Sequence, residues 1–394
     1  MGPVSAFVSG LVRFLRRHGL PLAVLVVAVP ASLMSSIRQD YRAYTRQWAR
    51  IAAGGDPWID ANGFFTGNAY GPVHNLLAFP YQVHPALPRV LFTLVYVCVF
   101  LWFRHRLGTT PLRRTILAVV LLANGLLWIS IVDYGHNDVL CAAFALAAVT
   151  LVEDGKAASA GLALALGVLT KLYPLVLVPL LALDGRRIRW RFLVAFLGAL
   201  AGGVFLTWWT WGASFLTPFT YAVERRSSLL SVVYFLRGSH SPLRGLSPSP
   251  DVDWLSGYLT LASLALLLAF HVRFRLTASF SSALAAVMLF AFYKVGHFQF
   301  YVTPLLLLVH WYFREAWDEA KSPPRLPALA AYVAWFALVP LAFRQMGHFK
   351  GAWGDVREWI GLPSFLLQAW LIGTLVAWRA RAAGTPRPLP PGPH

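Results

Sequence analysis

The sequence predicts an all-helical protein that crosses a membrane several times. Of 394 residues, 58% are hydrophobic and 13% charged, against about 45–50% and about 25% in soluble domains. The mean hydropathy is +0.59. Apolar runs recur along the whole chain. A spanning helix takes ~20 residues, so the length has room for on the order of ten spans plus loops. Together these exclude a soluble globular enzyme, a disordered chain and a fibrous repeat.

The first element is a retained span. Residues 1–30 have a basic start and an apolar core, but no small-residue cleavage site follows. Apolar runs that mark the spans lie near 20–34, 90–103, 115–132, 139–152, 192–211, 254–270, 278–292, 301–312, 326–343 and 362–378. The stretch 157–183 is too long for one simple span and too short for two. Lys171 stands at its middle in Lys171-Leu172-Tyr173-Pro174, and Pro174 removes a helix donor. Two short helices meeting at Lys171 satisfy both facts. A break of that kind is tolerated where it lines a polar cavity.

The net charge is +18 and the isoelectric point about 10.5. With no soluble module to carry a nucleic-acid surface, the excess belongs at helix ends facing anionic lipid. Arg13, Arg16 and Arg17 place the N-terminus in the cytoplasm by the positive-inside rule. The tail after Arg379 is then cytoplasmic too. Loops 35–89 and 212–253 fall on the opposite side. Cys98 and Cys141 sit inside apolar runs and suggest neither a disulfide nor a zinc site. No repeat of fixed period is visible. Residues 1–382 are expected to form one membrane domain, and 383–394 a disordered Pro-rich tail.

The unusual polar residues gather on the non-cytoplasmic side: Asp40, Asp56, Asp60, His74, Asp133, His136, Asn137, Asp138, Lys171, Glu224, Arg225, Arg226, Lys294, His297 and Gln299. Ionisable groups at membrane depth are costly and point to function. Arg38, Arg42, Arg46 and Arg50 recur every fourth residue, one stripe of a helix. Tyr41, Tyr44 and Trp48 form its aromatic face. This predicts an interfacial helix with rings toward lipid and guanidinium groups toward phosphate. Asp40 opens that helix, where a carboxylate is electrostatically favoured. Gly54-Gly55-Asp56-Pro57-Trp58 reads as a turn, and the stretch from Tyr70-Gly71-Pro72 to Pro80 as a second short interfacial helix. Asp133-Tyr134-Gly135-His136-Asn137-Asp138 is a tight polar turn between two spans. Lys294, His297 and Gln299 stand at another break. Asp251-Val252-Asp253 spells D-x-D but lies in a Pro/Ser-rich loop, so no metal site is assigned. Gly-x-Ser-x-Gly, His-Glu-x-x-His and a phosphate P-loop do not occur.

Four stretches carry a resemblance. Asp40-Tyr41 through Tyr44, Gly55-Asp56-Pro57-Trp58 and Tyr70-Gly71-Pro72 form the first. Gly135-His136-Asn137-Asp138 is the second and Lys171-Leu172-Tyr173-Pro174 the third. Lys294-Val295 to Gln299-Phe300-Tyr301 is the fourth. Their order and spacing, over roughly 38–310 with Glu224-Arg225-Arg226, resemble the GT-C superfamily of membrane glycosyltransferases. The chain is most similar to glycosyltransferase family 87, the polyprenol-phosphate-mannose-dependent alpha-mannosyltransferases, and to the first GPI mannosyltransferase. The resemblance implies a GT-C fold of roughly ten to twelve transmembrane helices. It implies a polyprenyl-phosphate sugar donor, mannose favoured, and a lipid or glycan acceptor. It also implies that Asp40 is the catalytic base. The GPI enzymes carry a further Asp two places earlier, where this chain has Arg38, which weakens the case for an acidic metal pair. No cofactor or divalent metal is expected.

The chemistry suits the residues. A lipid-phosphate sugar brings its own leaving group, and one carboxylate suffices to deprotonate the acceptor hydroxyl. Fixed cations stabilise a departing phosphate in a water-poor site. Asp40 and His297 are therefore the expected catalytic residues. Lys171, Arg225, Arg226 and Lys294 are expected to hold lipid phosphate. Tyr41, Tyr70, His136, Asn137, Asp138, Gln299 and Tyr301 are expected to bind substrate. A transporter or flippase of a lipid-linked substrate is the competing reading, although such proteins often show repeated halves and midplane charge. No Asn-x-Ser/Thr site occurs, and a bacterial plasma membrane is the expected location.

Overall fold

Apolar runs bounded by Pro, Gly and polar turns fold as helices in the computed structural model. It describes residues 3–37, 39–60, 62–237, 252–320, 326–346 and 359–384. Arg38, the Pro/Ser-rich stretch with Asp251 and the tail after Gly384 lie outside the described residues. So do the side chains of Arg13, Arg16 and Arg17. Helices dominate. The described strands are two residues long: Leu183–Asp184 pairs antiparallel with Arg187–Ile188, and Ser228–Leu229 pairs parallel with Val295–Gly296.

Four helices are long and apolar enough to cross a membrane: Leu87–Arg106, Trp190–Ala222, Asp253–Phe274 and Gly361–Arg381. A fifth arises if Pro111–Leu122 and Gly125–Asp133, bent by 44°, count as one broken span. Gly19–Met34, Ala157–Thr170, Ala278–Phe292 and Pro327–Phe343 are apolar but shorter. Against the roughly ten to twelve transmembrane helices expected, the described residues hold four or five full-length candidates and four shorter apolar helices. Ala278–Phe292 shows why shortening is tolerated. Nearly every residue in it is buried, so protein rather than lipid surrounds its ends. Trp190–Ala222 is the opposite case, with Val194, Leu197, Phe205, Leu206 and Trp209 all exposed. Helical turns also resume past Gly212, whose φ is +62°, where the sequence suggested a loop: Thr217–Glu224 is helical.

The core element is a hairpin. Asp138–Glu153 and Ala157–Thr170 pack antiparallel across a short turn in which Gly155 takes a φ of +74°. Ala278–Phe292 and Val302–Trp311 pack on it. At one end Tyr173 and Thr303 share a hydroxyl hydrogen bond of 2.8 Å. At the other, the Ser279 amide donates to Glu153 Oε1 at 3.1 Å. The helix breaks at Lys171 as the sequence suggested. Ala157–Thr170 stops, Lys171 is extended, and a 3-10 turn begins at Tyr173.

One expectation is overturned. On the Gln39–Ala52 helix, Tyr41, Tyr44 and Trp48 do not face lipid; all three are buried in protein. Their polar tips explain it, since a buried hydroxyl or indole needs a partner. The Tyr41 hydroxyl donates to the Pro85 carbonyl at 2.7 Å, and Trp48 Nε1 donates to the His74 carbonyl at 3.1 Å. Arg42 and Arg46 remain exposed on the opposite face.

Candidate active site

Asp40 occupies the first turn of Gln39–Ala52. Two side chains from distant elements reach one of its oxygens. His136 Nε2 lies 3.2 Å from Oδ2, and Gln299 Nε2 donates to the same atom at 3.3 Å. The Asp40 side chain is 44% exposed, so Oδ1 stays open toward solvent. Burial raises the Asp40 pKa. The hydrogen bond and charge of His136 and the charge of Lys171 outweigh that and hold the carboxyl well below the usual range.

His136 is carried by the turn between Trp128–Asp133 and Asp138–Glu153. Gly135 makes that turn possible. Its φ is +66°, and an added Cβ would lie 2.8 Å from the Tyr41 ring and 2.9 Å from Arg89. Asn137, next in line, is fully buried. Its Nδ2 donates to His74 Nδ1 at 3.0 Å, and the Tyr44 hydroxyl stands 3.4 Å from its Oδ1 and 3.0 Å from the Tyr70 hydroxyl. Burial, then the charge of Lys171, lowers the His74 pKa to about 3. The ring is therefore neutral and accepts from Asn137.

Asp138 begins its helix and meets Lys171 Nζ at 2.9 Å, with side chains 1% and 12% exposed. The ammonium also stands 4.3 Å from the Phe300 ring centre and 5.2 Å from that of Tyr70. Gly71 lets the first loop close on this corner. Its amide donates to the Thr170 carbonyl at 3.0 Å, and a Cβ there would come within 2.2 Å of the Leu169 oxygen.

The loop after Thr217–Glu224 supplies Arg225, whose guanidinium donates to His297 Nε2. Burial first, and Arg225 second, lower the His297 pKa to about 3, so the ring is a neutral acceptor. The short parallel ladder holds this arrangement. Ser228 N donates to the Lys294 carbonyl, and Leu230 N to the Gly296 carbonyl, both at 3.0 Å. Asp253 ties the same loop down by accepting from Ser227 N at 3.1 Å and Arg237 Nη1 at 3.0 Å.

The structure thus brings together Asp40, Tyr70, His136, Asn137, Asp138, Lys171, Arg225, His297 and Gln299. Lys294 is half-buried at the ladder beside them. Tyr41 and Tyr301 are placed elsewhere. Tyr41 lies under Arg89, and Tyr301 stacks on Phe336 at 4.0 Å within the core. Arg226 and Glu224 are exposed. Asp56 and Asp60 shape turns, each accepting from two backbone amides close by. Among the described residues, no group of three or more His, Cys, Asp or Glu converges as metal ligands.

Tyr44 and Arg89 were not singled out as site groups by the sequence, and His74 stood among its unusual polar residues without an assigned role. Arg89 is buried, and its Nη1 donates to the carbonyls of Ser35, Ser36 and Asp133 at 2.9–3.3 Å. It pins the end of the first helix to the Asp40 loop and the His136 turn. A lone arginine opening an apolar run was the available signal.

The model of glycosyltransferase family 87 matches residues 68–295. The chain belongs to glycosyltransferase family 87. No curated protein matches it. Membership makes it a membrane glycosyltransferase, with a sugar donor, an acceptor and an association with the bilayer. The matched stretch contains His136, Asn137, Asp138, Lys171, Arg225 and Lys294. Asp40, His297 and Gln299 lie outside it and join it through the contacts above.

Proposed function

We propose that this family 87 enzyme moves a hexose, mannose favoured, from a polyprenyl-phosphate sugar to a hydroxyl of a lipid or glycan acceptor. The observation that carries the reading is how Asp40 is held. His136 and Gln299 occupy one carboxylate oxygen and leave Oδ1 open. A carboxylate anchored in that way takes one proton in one direction, which is what an incoming hydroxyl requires. The depressed pKa keeps it ionised.

The acceptor hydroxyl loses its proton to Asp40 as its oxygen attacks the anomeric carbon. The bond to the lipid phosphate breaks on the far side, with inversion. The leaving phosphate gains negative charge, and Arg225 and Lys294 are the cations that would stabilise it. Neutral His297 orients the Arg225 guanidinium by accepting one of its hydrogen bonds. Lys171 is committed to Asp138, so its part is to fix the corner and add a positive field on Asp40. The sugar hydroxyls have Tyr70 and Gln299 beside the base.

The test is donor consumption by the purified full-length chain in lipid, with a panel of polyprenyl-phosphate sugars and mixed membrane lipids as acceptors. Asp40→Asn should lower release of polyprenyl phosphate by about 10²–10⁴-fold while donor binding persists. The product should carry the anomeric configuration opposite to the donor's. Full turnover by Asp40→Asn would remove the base from this account.

A further inference from the structure

A second polar cavity lies at the far end of the same helices. It measures about 760 Å³ and is lined by Glu153, Asp184, Arg189, Arg191, Arg314 and Glu315, among others. The Glu153 and Glu315 carboxylates each bind the start of Ala278–Phe292. Ser279 N donates to Glu153 Oε1 at 3.1 Å, and Thr277 Oγ1 and Ser279 Oγ donate to Glu315 Oε2 at 2.5 and 3.2 Å. Each carboxylate keeps one oxygen with no hydrogen-bond donor, Glu153 Oε2 and Glu315 Oε1. The nearest basic groups to Glu153 Oε2 are the Arg314 guanidinium, with Nε at 3.5 Å, and the His310 ring, with Nε2 at 3.8 Å, both beyond good hydrogen-bond reach.

The rim places this cavity at headgroup level. Trp190, 64% exposed, and Arg191, also exposed, open the long apolar span Trp190–Ala222. An exposed Trp beside a cation at the start of a span marks a membrane–water interface. The lining carries both signs of charge. A purely anionic ligand would meet three carboxylates, and a purely cationic one three arginines. The unpaired oxygens narrow the choice further. They need an N–H donor, which a primary ammonium has and a trimethylammonium lacks.

We propose that this cavity binds a phosphate ester carrying a primary ammonium, the chemistry of an aminophospholipid headgroup. The ammonium donates to Glu153 Oε2 and Glu315 Oε1, displacing the loose Arg314 contact. The freed Arg314 guanidinium, 37% exposed as it stands, turns with Arg191 to the phosphate.

The experiment uses the full-length chain in detergent, titrated with short-chain phosphatidylethanolamine and with phosphatidylcholine of the same acyl chains. Binding is counted by native mass spectrometry. Phosphatidylethanolamine should bind about tenfold or more tightly, the worth of one charge-assisted hydrogen bond. Glu315→Gln, which keeps the contacts to Thr277 and Ser279 but adds a donor where an acceptor stood, should erase that preference. Arg191→Ala, at an exposed position, should weaken both lipids equally. Soluble O-phosphoethanolamine that displaces the lipid at similar concentration supports the same recognition with a free ligand as its source. Failure to displace it supports the lipid. Equal binding of the two lipids to the unsubstituted chain overturns the proposal, and needs no variant to fold. So does a preference that survives both Glu315→Gln and Glu153→Gln.

Discussion

The two ends of the Asp138–Glu153 and Ala157–Thr170 hairpin make opposite use of buried charge. At the Asp40 end, Asp138 and Lys171 meet at 2.9 Å with almost no exposure, and aromatic rings close over the ammonium. At the other end, Glu153 has Arg314 at 3.5 Å and His310 at 3.8 Å, and a cavity opens beside them. A tight, dry pair is rigid and fixes whatever is built on it. A loose, wet one leaves its groups available to exchange partners. The same two helices therefore offer a frame for chemistry at one end and an adjustable pocket at the other.

The comparison breaks first at the dry end. Lys171→Met leaves Asp138 buried without a counter-charge, which should cost about 3–5 kcal/mol. The thermal unfolding midpoint in detergent would show it. Adding Asp138→Asn to that chain should recover much of the loss. A Lys171→Met chain as stable as the parent would mean that the pair is not what holds this corner.

Next in size is His136→Leu. Asp40 then loses the hydrogen bond and charge that depress its pKa, while burial still raises it. A depressed carboxylate stays ionised at neutral pH and is lost as base only when pH falls through its pKa. In the variant, the acid limb of kcat/KM should move up, to about pH 4 or above. Activity at neutral pH should drop by about 10–100-fold through misplacement of the base. A pH–rate profile unchanged from the parent would show that His136 does not govern Asp40.

The loose end sharpens the contrast. Arg314→Gln removes a contact that is long and partly exposed, so its stability cost should stay below about 1 kcal/mol. The same unfolding measurement compares it directly with Lys171→Met. Smallest of all is Arg226→Ala. The side chain is exposed, and both stability (within about 0.5 kcal/mol) and turnover should barely change. A large loss of turnover there would return Arg226 to the phosphate site that the sequence suggested.

The sequence made much of this legible. Composition alone carries the all-helical membrane class. Pro174 behind Lys171 marks the break, because a missing donor and a buried cation both end a helix. The polar residues at 133–138 and 294–299 stand out because each interrupts an apolar run. What stayed hidden depends on contacts between distant segments. Tyr41, Tyr44 and Trp48 have one amphipathic pattern whether the partner is lipid or protein. Only Pro85, Tyr70 and His74, folded over them, decide which. Asp138 and Lys171 read equally well as ligands for substrate until they are seen to hold each other. Span number was unclear for a related reason. Hydropathy counts apolar residues, and a short helix such as Ala278–Phe292 is as apolar as a long one.

The contact from Gln299 to Asp40 joins residues 259 positions apart. During synthesis, the segment bearing Asp40 emerges early, and the residue that completes its support emerges only after the hairpin, the Trp190–Ala222 span and the Arg225 loop have been made. Such a long-range closure forms late and slowly. Until then the Gln39–Ala52 helix has Arg89 and the His136 turn to hold it. Asp40 and its full set of partners are therefore made in separate steps, so a nascent chain ending before Gln299 carries the carboxylate without the grip that aims it.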